Sequence, residues 1–357
     1  MDELIKMSKS IEKDNFNNKI INSLYESSNK SFLYSGLSVR EALLILFMGS
    51  TKNSVLFKNF SKLFNSDDTE TLMTYYYNLN GVMSDSGSVK IANSIWNNNV
   101  KIKPEWINHI KSIGEVKNTI DQKLINEWMS EKTENTITTI PIEYDGDVSM
   151  IILNALYFCD KWKHQFKKEN TVKSTFENHF GNKTTVQMMK ITEKYLYTLY
   201  SENDDQFIAM DYVSDFFMLV DLPKNITKPT LMTQKVIQKI YNSMKMTEII
   251  LYFPKFTYED SHDLLQPIID SGFDITGKDF GSMIEKHNDS LYIKSIIQVA
   301  KIISDEEGTK AAAVTVIKNI MYAKASNYTI FKADHSFAFY IIHKPTFEIL
   351  FTGVFNG

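Results

Sequence analysis

The residues most able to do chemistry are scattered along this chain. The seven histidines, His109, His164, His179, His262, His287, His335 and His343, show no zinc-type spacing with one another or with Cys159, the single cysteine. Cys159 and His164 could serve as a thiol nucleophile and its base. A lone cysteine at the end of the apolar run Ala155-Leu156-Tyr157-Phe158 reads instead as structural. The stretch Gly36-Leu37-Ser38-Val39-Arg40 starts like a nucleophile elbow and fails at its last position, where that motif needs glycine. There is no phosphate-binding Walker loop and no dinucleotide fingerprint. The expectation is a protein that is not an enzyme and carries no metal and no cofactor.

Bulk properties narrow the classes further. The 357 residues carry 39 basic and 43 acidic side chains, a net charge of −4. Non-specific nucleic-acid binding needs a basic field, so no nucleic-acid partner is expected. One cysteine allows no intramolecular disulfide, which suits a reducing compartment. The start, Met1-Asp2-Glu3-Leu4-Ile5-Lys6, lacks the basic-then-apolar pattern of a cleavable signal peptide. The longest strongly apolar run, Ala42 to Met48, is shorter than the about 20 residues that cross a bilayer. A cytoplasmic, monomeric protein with no membrane partner is the expectation, with release from cells without a signal sequence left open.

The positioning elements follow from periodicity. Ser38-Val39-Arg40-Glu41 has capping-box spacing, with Ser38 expected at the cap. The following Ala42 to Met48 is apolar nearly all round, so it predicts a buried helix closed by Gly49. Between Asp121 and Thr133, the residues Leu124, Ile125, Trp128 and Met129 share one helical face. Pro229 to Lys245 predicts another helix. Phe207 to Leu222, Ile249 to Tyr258, Leu291 to Ile303 and Phe347 to Phe355 are rich in Ile, Val, Phe and Tyr and predict strands. Helices first and strands later give an α+β class. No repeat or Pro/Gly-rich linker divides the chain, so one domain over 1–357 is expected.

One segment fits no ordinary connection. Asp305-Glu306-Glu307-Gly308-Thr309-Lys310-Ala311-Ala312-Ala313-Val314-Thr315-Val316 follows the strong strand pattern. Thr309, Ala311, Ala313 and Thr315 are all small and share one face when the chain is extended. Such a strip can slide between two strands against a crowded core. Its local preference is mixed, since Ala favours helix and Val-Thr-Val favours strand. Ile317 to Lys332 then continues with no Gly or Pro, and a long segment of that kind is usually functional or disordered.

Glu306 to Ala313 closely resembles the proximal hinge of the serpin reactive-centre loop. Other pieces are similar to serpin segments in the family's order. They are Phe16 to Glu26, Ser35-Gly36-Leu37-Ser38-Val39, Ala92-Asn93-Ser94-Ile95-Trp96, Ile125-Asn126-Glu127-Trp128 through Thr133, and Asn154-Ala155-Leu156-Tyr157-Phe158 with Lys161-Trp162 and Phe166. Pro254-Lys255-Phe256, Phe331 to Phe337 and Leu350-Phe351-Thr352-Gly353 complete the set. There are departures. Gly36 and Ser336 stand where the family usually has Pro, Gln298 where most members have His, and Cys159 where Lys is common.

The resemblance implies helices packed around a large central sheet with further sheets, and an exposed reactive loop over about 306–332. It implies a hinge of Glu306, Glu307, Gly308, Thr309, Ala311, Ala312 and Ala313. Ser35, Ser38, Asn154 and Gln298 resemble the polar cluster beneath the sheet opening, and Trp162 the residue where insertion starts. In the implied mechanism a protease cuts the loop and is held as an acyl-enzyme ester, while the freed hinge enters the sheet as a new strand. About a dozen inserted residues at roughly 0.5–1.5 kcal/mol per hydrogen bond give on the order of 10 kcal/mol. Lys161, Lys163, Lys167 and Lys168 read as a solvated face before an anion site.

Counting from Glu306 by the family's usual spacing places the scissile bond at Tyr322-Ala323. A tyrosine bait needs an apolar primary pocket, which implies a chymotrypsin, chymase or cathepsin G type of serine protease as covalent partner. The alternative bait, Lys324, implies a trypsin-like target. A further alternative is a non-inhibitory storage, carrier or chaperone serpin, although such members usually carry bulky or charged hinge residues.

Overall fold

A computed structural model of the chain describes residues 14–26, 30–85, 87–98, 100–140, 142, 149–200, 202–285, 291–309 and 328–357. The chain forms two compact units, one of 1–29, 34–157 and 259–301, the other of 30–33, 158–258 and 302–357.

The first unit is built on the helix Gly36–Gly49, buried on almost every side as its apolar sequence requires. Its cap differs from the capping-box expectation. Ser35 is the N-cap, and its hydroxyl accepts from the Ser38 amide. Ser38 therefore lies in the first turn and its own hydroxyl is free to reach inward. The helix Gln122–Lys132 starts at Asp121, whose carboxylate accepts from the Lys123 and Leu124 amides. Its Ile125, Trp128 and Met129 join Trp96, Ile151, Leu153, Ile297 and Val299 in one core cluster. Leu124 is 43% exposed, so the packed face is narrower than the periodicity predicts.

That cluster lies on a sheet in the order Glu115–Lys117, Val89–Asn97, Ser149–Phe158, Tyr292–Ser304. The last two strands pair directly and in parallel, with Asn154 opposite Gln298. Alternation sends Ile151, Leu153 and Ala155 to the helix-covered side and Asn154 to the other. The invariant consequence of period-two geometry is that one strand presents both a dry face and a polar residue beneath it.

The second unit holds a nine-stranded sheet. The predicted strand Phe207 to Leu222 is in fact two strands, Gln206–Asp211 and Phe216–Leu222, antiparallel about a turn. The predicted Ile249 to Tyr258 is likewise two, Lys245–Pro254 and Phe256–Asp263. The predicted helix is shorter, Gln234–Ser243, capped by Thr233. The longest strand, Lys183–Leu199, pairs over ten residues with Lys245–Pro254. A cluster of Phe176, Phe256, Phe337, Phe339 and Phe355 fills one face. Ser336, where a proline was the usual residue, is buried, with its hydroxyl accepting from the His179 amide and donating to Asn356. A proline would leave that amide and the Asn356 oxygen without these partners.

Candidate functional site

The hinge segment begins as the strand Tyr292–Ser304 ends. The Asp305 carboxylate accepts from the Glu307 and Gly308 amides, and the Asp305 amide donates to the Gly308 carbonyl. This local turn is the Asx geometry that aspartate favours. It sends Gly308 and Thr309 back antiparallel, with Thr309 opposite Ser304 on one side and Asp160 on the other. Backbone approaches backbone so closely that a Cβ on Gly308 would collide with the Asp160 carbonyl and the Lys161 Cα. Only glycine fits there.

Every residue from Asp305 to Thr309 is moored. The Trp162 indole donates to the Asp305 carbonyl at 2.9 Å, and its backbone amide donates to the Glu307 carbonyl at 2.9 Å. Glu306 is 4% exposed. Its carboxylate pairs with the Lys255 ammonium at 2.7 Å and accepts from the Thr171 hydroxyl at 2.8 Å. Burial alone would raise the Glu306 carboxyl, but Lys255 and Thr171 outweigh it and hold it below the ordinary carboxylate range. Glu307 pairs with Lys168 at 2.9 Å. The Thr309 hydroxyl meets the Tyr212 phenol at 2.9 Å, both fully buried. The Tyr212 ring stacks on Trp162 at 4.4 Å with 13° between planes.

This corrects the expectation of a hinge exposed from Glu306 onward. Glu306 and Thr309 are buried, and Gly308–Thr309 is already a short strand. The reason is non-local, because the partners come from Asp160–Lys161, Thr171, Tyr212 and Lys255. At the far end, Thr329–Lys332 is a strand parallel to Lys245–Pro254 rather than loop. Ala311, Ala312, Ala313, Tyr322, Ala323 and Lys324 lie outside the described residues.

The four residues Ser35, Ser38, Asn154 and Gln298 form one buried network in the other unit. The Gln298 amide nitrogen donates to the Ser35 carbonyl and to Asn154 Oδ1, both at 2.9 Å, while Gln298 Oε1 accepts from the Ser35 amide at 3.0 Å. Asn154 Oδ1 also accepts from the Ser38 hydroxyl at 2.6 Å. Asn154 Nδ2 donates to the Ser38 carbonyl at 3.1 Å and to Asn93 Oδ1 at 2.7 Å. Gln298 thus supplies a donor and an acceptor together without titrating near neutral pH, as a histidine there would. At Gly36, the other departure in this region, the Asn17 side-chain amide occupies the place a Cβ would take and would have to move to admit one.

Other residues singled out for chemistry are not gathered there. His164 packs edge-on against Tyr195 and faces Glu193 at 3.7 Å. Cys159 is half-buried and forms no disulfide. Of the four clustered lysines, Lys163 pairs with Asp211 and Lys168 with Glu307. Sequence reasoning missed Lys255, Thr171, Tyr212, Asn93 and Glu41. Lys255 and Asn93 lay inside quoted segments, yet nothing local marks the partner of either.

An α+β fold in which Gly308–Thr309 turns back beside the end of the strand Tyr292–Ser304 defines the class. The chain belongs to the serpin family: the model of that family, serpin (serine protease inhibitor), matches residues 12–357. It is 28% identical over 356 residues to intracellular coagulation inhibitor 2 of Tachypleus tridentatus, covering 92% of this chain and 86% of that protein. It is 26% identical to a leukocyte elastase inhibitor of Sus scrofa, covering 89% of this chain and 91% of the other. Its fold matches that of human thyroxine-binding globulin with a TM-score of 0.85 at 21% identity, over 98% of both chains.

Proposed function

We propose that this chain is a single-use serine protease inhibitor that acts through the segment following Thr309. The observation that carries this reading is the position of Thr309. It already occupies one rung of an antiparallel strand, with a small side chain buried on the inner side. In the sequence that follows, the alternate positions Ala311, Ala313 and Thr315 are small, so a strand inserting in this phase would bury no charge there. The names of the inhibitor relatives support the same reading.

In the proposed reaction the protease serine oxygen attacks the Tyr322 carbonyl, and the bond to Ala323 breaks. The Ala323 amine leaves with a proton, and an ester joins Tyr322 to the protease. Strand insertion then removes the ester from its catalytic surroundings before water attacks. Tyr322 suits an apolar primary pocket of the chymotrypsin type. Lys324 is the competing bait and would direct the chain to a trypsin-like target. The small inner face weighs against a carrier or storage role. The protein acts as one serpin domain, monomeric and cytosolic.

The experiment is incubation with chymotrypsin and, in parallel, with trypsin, followed by denaturing electrophoresis and mass spectrometry. An adduct stable to detergent with a new N-terminus at Ala323 is the expected result. A new N-terminus at Ala325 transfers the role to Lys324. Complete cleavage with no adduct under any protease tested overturns inhibition.

A further inference from the structure

The buried network beneath the paired strands does not end at Asn93. Asn93 Nδ2 donates to the Ile113 carbonyl at 3.0 Å and to Glu41 Oε2 at 3.3 Å. Glu41 is fully buried. The neutral Asn80 amide is the other side-chain amide that acts on its carboxyl, and its effect is smaller than that of burial. Two acceptors at this junction have no donor: Glu41 Oε1 and Asn80 Oδ1. Buried acceptors left in this state cost about 1–3 kcal/mol each. Protonation lessens the conflict at Glu41, because a neutral acid asks for fewer donors than a carboxylate and carries one O–H of its own.

The charges around Glu41 do not favour its ionised form. Arg40, its neighbour on the helix, turns elsewhere. Its Nε donates to the Tyr76 phenol at 3.0 Å, and its guanidinium lies over the rings of Phe64 and Phe16 at 5.0 and 5.9 Å. From the helix Thr69–Ser84, the group that reaches Glu41 is the neutral Asn80 amide. From the strand Val89–Asn97 it is Asn93, whereas Lys90 is engaged by Glu134. Beyond Ile113, Glu115 is held by Lys117 and Lys132. Among the described residues no cation forms an ion pair with Glu41. Burial accordingly pushes its carboxyl up to about 8.

We propose that Glu41 is held as the neutral acid and is the proton-linked member of the network that joins Asn154 to Gln298, so that its ionisation loosens the two paired strands. The route is short. Glu41 holds Asn93, Asn93 holds Asn154, and Asn154 holds Gln298 across the strand pair. Each amide in this route already uses both its nitrogen and its oxygen, so none can turn toward a new charge without dropping a partner. A carboxylate at Glu41 demands donors on both oxygens, and opening the strands to water supplies them. The proposal goes beyond protease inhibition and holds whether or not an adduct forms.

The sign follows from linkage. The native-state carboxyl titrates above its unfolded value of 4.5. Its contribution is complete below that value, then falls as pH rises and is fully lost above about 8. The test compares the wild type with Glu41→Gln, which keeps the shape, can donate to Asn80 and cannot ionise. The wild-type melting temperature should fall relative to E41Q as pH rises across this window. Deuterium exchange in Ser149–Phe158 and Tyr292–Ser304 should be faster in the wild type than in E41Q above about pH 8, and equal near pH 5. Near pH 6 the wild type should show more of the infrared carbonyl band of a protonated carboxylic acid than E41Q, since the other buried carboxyl raised by burial, Asp221, is common to both. Parallel pH profiles for the two proteins overturn the proposal. Where E41Q does not fold, the infrared titration of Asp221→Asn, which lacks the other raised carboxyl, decides: a buried carboxyl that deprotonates near 8 supports the proposal, and no such band near pH 6 overturns it.

Discussion

The Thr309 hydroxyl and the Tyr212 phenol meet 2.9 Å apart, and both side chains are sealed from solvent. The hydrogen bond fixes the first inward-facing residue of the hinge to a ring stacked on Trp162. Burial drives the Tyr212 phenol well above the ordinary tyrosine range, so the bond is between neutral groups at any physiological pH.

Thr309→Arg should convert the protein from inhibitor to substrate. A guanidinium at this position would have to enter the sheet unpaired, at a cost of several kcal/mol. The measurement is the ratio of adduct to cleaved product with chymotrypsin. An unchanged ratio would mean that insertion does not pass through Thr309.

Tyr212→Phe removes one hydroxyl and leaves the Thr309 hydroxyl without its partner. The variant should lose about 1–2 kcal/mol of stability. Its hinge amides should exchange faster while the helix Gln122–Lys132 is unaffected. Exchange mass spectrometry of a peptide covering Asp305 to Thr309 checks this.

Lys255→Met strands the buried Glu306 carboxylate and should cost about 1–3 kcal/mol. The pairing also carries a pH signature. The folded Glu306 titrates below its unfolded value of 4.5. Its contribution is present above that value and is lost as pH falls through the lowered folded value. Acid unfolding curves should therefore separate wild type from Lys255→Met above about pH 5 and bring them together at lower pH.

His343 should produce a second acid transition at higher pH. It is buried, and its Nδ1 meets the Thr346 hydroxyl at 2.8 Å. Burial lowers the imidazole from 6.5 to about 4. Stability is thus complete above 6.5 and declines as pH falls toward 4. His343→Gln should flatten the melting temperature over that interval.

The sequence was most legible where the information is local. The helix between Asp121 and Thr133, the all-apolar run Ala42 to Met48 and the strand-rich second half need only neighbours along the chain. Ser38 was misplaced at a cap because Ser35 and Ser38 both precede the same apolar run, and only the backbone decides which of them is non-helical. Glu41 looked like the partner of that cap, and its burial was invisible because Asn80 and Asn93 are remote in sequence. The strand Lys183–Leu199 escaped notice since Lys, Thr and Gln alternate with its apolar residues. The small face of Thr309, Ala311 and Ala313 was readable, but not that Thr309 is already docked. That docking depends on Asp160 and Tyr212, some one hundred residues or more away.

The stack of Trp162 on Tyr212 also makes the hinge optically visible. The indole nitrogen is bonded to the Asp305 carbonyl, and its ring face is covered by a phenol whose hydroxyl touches Thr309. Any departure or further advance of the hinge changes the polarity and hydrogen bonding of one of only four tryptophans in the chain. A protein with Trp96, Trp106 and Trp128 replaced by Phe would carry a single tryptophan, at that junction. Its emission would follow hinge movement in real time, without a label and without a protease.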